Sequence, residues 1–130
     1  VKFSAEIRMS RLNALIAVVG PSPTLLLFAG RMPAAPFEAA PEAAIARVSL
    51  PPVWMAPPIN GRAEKTEWPE GRVEKDGAAG WYMIRGASGA AIAGTAGDSE
   101  SGAGLVVAPA ALAAGQALRV ERYALTEGGA

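Results

Sequence analysis

The sequence predicts a mainly β fold: a small antiparallel β-sandwich or barrel with one N-terminal α-helix and a proline-rich extended arm. Three observations predict it. Short apolar runs recur along most of the chain, split by glycine and proline. Apolar residues at helical spacing are confined to its beginning. Prolines crowd between residues 31 and 58 and forbid a long helix there. A length of 130 residues suits a single domain, 1–130, with one core. Half of the chain is hydrophobic, but much of that half is alanine, so the core is expected to be thin and to gain stability from partner subunits.

The elements follow in order. Ala5, Met9, Leu12, Leu15, Ile16 and Val19 recur at helical spacing and predict a helix over Ala5–Val19, with this set as its inner face. Ser4 is its N-cap, Glu6 complements the dipole in the first turn, and Gly20-Pro21 stops it. Arg8 and Arg11 lie on a more polar flank, which is a solvated face or a partner contact. They also precede the apolar run 12–28, a faint likeness to a signal peptide. Gly20-Pro21-Ser22-Pro23 interrupts that run, so a helix followed by a strand is the plainer account. Thr24–Ala29 is a fully apolar strand closed by Gly30.

Residues 31–58 read as extended, with a strand at 44–50 and Pro51-Pro52 and Pro57-Pro58 bracketing Val53-Trp54-Met55-Ala56. Asn60-Gly61 is a turn, residues 62–68 a partly exposed strand, and 70–77 a charged loop. Residues 77–126 read as a β-meander. Its strands are 81–85, 90–95, Leu105–Ala108 and 118–126, the last with Leu118, Val120, Arg122 and Ala124 on one face. Gly86-Ala87-Ser88-Gly89 is a hairpin loop, 97–104 a small-residue loop, and Gly115 marks a turn within 109–116. Residues 127–130 read as a frayed tail.

Composition narrows the chemistry. Twelve basic and twelve acidic residues give a formal net charge of zero, without the basic stripe of a phosphate-binding protein. Neither histidine nor cysteine occurs, so disulfides are impossible and the commonest metal ligands are missing. Without histidine, an activated serine has no ordinary base. Gly86–Gly89 lacks the flanking pattern of a nucleophile elbow. Lys2, Lys65 and Lys75 sit in polar settings that keep them charged. Asp98 and Glu100 form the one compact carboxylate pair outside the charged loop, but a glycine-rich loop holds them poorly for glycoside hydrolysis or calcium binding. Gly102-Ala103-Gly104 lacks the rest of a nucleotide fingerprint. The sequence therefore points away from an enzyme and from any cofactor or metal. Trp81 belongs to a core strand. Trp54 and Met55 between the proline pairs, and Trp68 beside Pro69, are placed as interface anchors together with Arg8 and Arg11, with packing within the domain the equal alternative for the two tryptophans.

The stretches Arg11-Leu12-Asn13-Ala14-Leu15, Leu25-Leu26-Leu27-Phe28, Gly80-Trp81-Tyr82-Met83-Ile84-Arg85 and Leu112-Ala113-Ala114-Gly115-Gln116-Ala117-Leu118-Arg119-Val120 form a pattern. Together with Gly20, Gly30, Pro33 and the strand at 44–50, it covers most of the chain. In this it resembles small proteins encoded in the structural gene clusters of tailed bacteriophages and prophages, and departs from them at Ala93-Gly94, where an Asp-Gly turn is more typical. The resemblance implies a capsid decoration, or cement, protein. Such a protein is made in the host cytoplasm and sits on the outer capsid surface of the virion, often as a homotrimer bound to the major capsid protein, with no direct nucleic-acid or membrane contact. A neck, tail or fibre component, or a β-sandwich carbohydrate-binding module presenting aromatics to sugars, is the alternative.

Overall fold

A computed structural model describes residues 4–38, 41–59, 62–97, 104–108 and 111–126. Among the described residues, one α-helix, α1 (Ala5–Val19), precedes nine strands. In chain order these are β1 (Thr24–Ala29), β2 (Ala46–Ser49), β3 (Arg62–Glu64), β4 (Gly71–Val73), β5 (Gly77–Arg85), β6 (Ala91–Gly97), β7 (Leu105–Ala108), β8 (Ala111–Leu112) and β9 (Ala117–Thr126). Of the two architectures allowed by the sequence, the barrel is the one that forms. Neighbours run β1-β2-β4-β9-β7-β6-β5, and β5 pairs back onto β1, closing a seven-stranded mixed barrel. β3 pairs with the end of β9 and β8 with the start of β5, outside that cycle.

Six of the seven barrel ladders are antiparallel. The exception is β6–β7, which is parallel, with Ala96 opposite Leu105 and Gly97 opposite Val106. The second half is therefore not a simple meander. Local strand signals look alike for both directions, and direction is set by the connection.

The helix keeps its expected ends. Ser4 Oγ accepts a long 3.4 Å hydrogen bond from the Ile7 amide. Gly20, at φ 85°, donates its amide to the Ile16 carbonyl at 3.0 Å. Its packing is narrower than expected: Leu12 and Val19 are buried and Ile16 is half-buried, but Leu15 turns outward. The side chains of Ala5 and Met9 lie outside the described residues.

Side-chain alternation builds two apolar layers on one wall. Leu25 and Leu27 of β1 and Tyr82 and Ile84 of β5 join the main core. Leu26, Phe28, Trp81 and Met83 face the other way and form a second cluster with Ala44. Phe28 and Trp81 stack there with ring centroids 4.1 Å apart. The apolar run Leu25–Phe28 of β1 is thus explained by burial on both faces.

β4 lies inside the expected charged loop. Its register against β2 puts Ala46 opposite Val73, and against β9 puts Gly71 opposite Leu118. β9 also departs from its expected face. Leu118 and Val120 are buried, but a register irregularity between Val106 and Val107 of β7 shifts the pairing, so Tyr123 is buried and Arg122 is exposed. Gly94 is not a turn; it pairs with Tyr82 in mid-strand, and a Cβ there would lie 2.8 Å from the tyrosine ring. The expected turn at Asn60-Gly61, most of the loop 97–104 and the tail 127–130 lie outside the described residues.

Candidate functional site

Residues 31–58 do not form a free arm. They make two short 3₁₀ turns, Pro36–Glu38 and Pro41–Ala43, then supply β2 to the barrel and fold back over it. Ala56 donates to the Glu64 carbonyl at 2.8 Å, and Met55 bridges to Lys65.

This path corrects the expected anchors. Trp54 is 1% exposed, Met55 4% and Trp68 9%, all within the main core. Burial is permitted because the polar atoms of both indoles are met. A buried indole N–H needs an acceptor. Trp54 Nε1 donates to the Gly20 carbonyl at 3.0 Å, beside the helix end. Trp68 Nε1 donates to the Trp54 carbonyl at 2.7 Å. Trp54 therefore fastens α1 to segment 51–59, and Trp68 fastens that segment to the barrel. Neither ring is left for a partner.

The chain of contacts continues inward. Trp68 lies 5.7 Å from Tyr123, and Tyr123 meets Tyr82 edge to face at 5.2 Å. The two hydroxyls share a buried hydrogen bond of 2.7 Å, in which either oxygen can donate. Burial raises the pKa of both phenols above its ordinary value. For Tyr82 the bond to Tyr123 partly opposes this, whereas for Tyr123 the neighbouring Tyr82 adds to it. Both remain neutral through the physiological range, and each satisfies the other in an otherwise apolar interior.

Of the residues weighed for catalysis, Ser88, Lys75 and Lys65 make structural contacts. Ser88 Oγ donates to the Val18 carbonyl at 3.3 Å, so the 86–90 turn seats the helix end. Gly86 makes that approach possible: a Cβ there would stand 1.9 Å from the Val19 carbonyl oxygen. Lys75 Nζ donates to the Glu42 carbonyl. Lys65 Nζ lies 5.6 Å from the Trp68 ring centroid and donates to the Thr66 carbonyl. Lys2, Asp98 and Glu100 lie outside the described residues, as do Gly102 and Ala103. Among the described residues, no group of three acidic, histidine or cysteine side chains could hold a metal ion, and no helix is long and apolar enough to cross a membrane. Charges on the barrel wall are mixed: Arg47 pairs with Glu74 at 2.7 Å, and exposed Arg72 lies between exposed Glu70 and Glu74 in sequence.

The surface that stands out is the outer side of α1. Residues 12–19 contain no charged residue, yet Asn13, Ala14, Leu15, Ala17 and Val18 are all exposed. Val18 is 64% exposed, Ile7 47% and Leu15 37%. A shallow groove runs along Glu6, Ile7, Ser10, Arg11 and Ala14. Of the two arginines named from the sequence, Arg11 is exposed and lines this groove, and the Arg8 side chain lies outside the described residues. Sequence reasoning missed Ile7 and Val18 as outward residues. The available signal was that residues 12–19, two turns of helix, carry no charge on any side.

In comparisons with known proteins, no family model, no curated protein and no solved structure matches the chain.

Proposed function

We propose that this chain is a structural virion component, a capsid decoration or cement protein. In this reading it binds the outer surface of a tailed-phage head, as a homotrimer, and stabilises the lattice of the major capsid protein. The likeness of its sequence stretches to small phage structural proteins carries the virion part of the reading. In the fold, the supporting observation is the outward face of α1, which is uncharged over residues 12–19. Exposed apolar surface of this kind marks a subunit with a neighbour, and closed cyclic assembly would cover it in every copy. Buried aromatics weigh against a sugar-binding platform. Trp54, Trp68, Trp81, Tyr82 and Tyr123 all lie inside, and Phe37 is the one exposed aromatic ring among the described residues.

Binding that favours the assembled shell raises shell stability by linkage, and weak contacts repeated over a lattice add together. Heads assembled without the protein should therefore form but release DNA at lower temperature, or sooner on chelation of stabilising ions. Adding purified protein should restore them. Counting copies in purified particles decides the placement: many copies on the head support the reading. A few copies at the neck, tail or fibre, or none in heads, would overturn it.

A further inference from the structure

No further inference is drawn: the strongest candidate, the uncharged outward face of α1 formed by Ile7, Ala14, Leu15 and Val18 beside the groove at Ser10 and Arg11, supports only the building-block role already proposed, and nothing in the structure shows what covers it.

Discussion

Helix α1 and the segment 51–59 are both rich in apolar residues, and the fold divides each between core and surface: the helix buries Leu12 and Val19, and the segment leaves Val53 68% and Ile59 69% exposed. The segment between the proline pairs places Trp54 and Met55 in the core, while the helix leaves Ile7, Leu15 and Val18 in the open. Proline spacing alone reads as an extended arm, and helical spacing alone reads as an inward stripe. Neither pattern decides where the side chains go. Burial of its large apolar ring draws Trp54 inside, and the Gly20 carbonyl, 34 residues away, meets the indole N–H that would otherwise oppose it. Val18 stays 64% exposed, although the 86–90 turn engages its carbonyl.

The largest test of this contrast is Trp54→Ala. Emptying a fully buried tryptophan site should cost about 3–5 kcal/mol, read as a lowered urea midpoint for the purified chain. If stability is unchanged and only assembly suffers, Trp54 is a partner anchor after all. Gly86→Ala comes next. Its Cβ would stand against backbone instead of a flexible side chain, so the helix end must shift. A loss of about 1–3 kcal/mol is expected, with increased proteolytic nicking near residues 20–24. A neutral result would mean that the helix end is not held against the turn.

The tyrosine pair sharpens the comparison from the interior side. Tyr82→Phe or Tyr123→Phe alone leaves one buried hydroxyl without its partner and should cost about 1–3 kcal/mol. The double variant should lose less than the sum of the two, as measured by a double-mutant cycle. Ionisation gives a second readout. Both phenols have folded-state values above the ordinary 10.0. The unfolded chain therefore releases protons from about pH 10 upward while the folded chain keeps them. The stability these groups contribute is full below that pH and is lost progressively as pH rises from there toward the higher folded-state values. Urea titrations between pH 8 and 11 should show a steeper decline for the native chain than for the double variant.

The smallest effect on the subunit is expected from Val18→Gln. Its side chain is largely exposed, so isolated stability should change by no more than about 0.5 kcal/mol. Sedimentation of the oligomer, or binding to heads, should nevertheless weaken. A variant that assembles normally would remove α1 from the proposed contact.

Legibility in the sequence followed locality. β1 and β7 are bounded as their apolar runs suggest, and α1 begins and ends at its caps. β4 was hidden because it is short and Arg72 is its central residue; it becomes a strand through pairing with β2 and β9, not through its own propensity. The two-residue β8 carries too little pattern to read. Closure into a barrel depends on Leu25 meeting Ile84, a contact between distant parts of the chain. The outward face of α1 was legible in principle from its missing charges. The inward turn of Trp54, Met55 and Trp68 was not, because their acceptors and neighbours come from elsewhere in the fold.

The position of β9 has a consequence for the order of events during synthesis. It lies between β4 and β7 in the cycle, and every other strand precedes it in the chain. Until residues 117–126 emerge from the ribosome, the sheet is an open ribbon with two unpaired borders. Tyr82 likewise waits without the hydroxyl of Tyr123. Nascent chains stalled before β9 should therefore bind chaperones and clump, and release past that point should end both together.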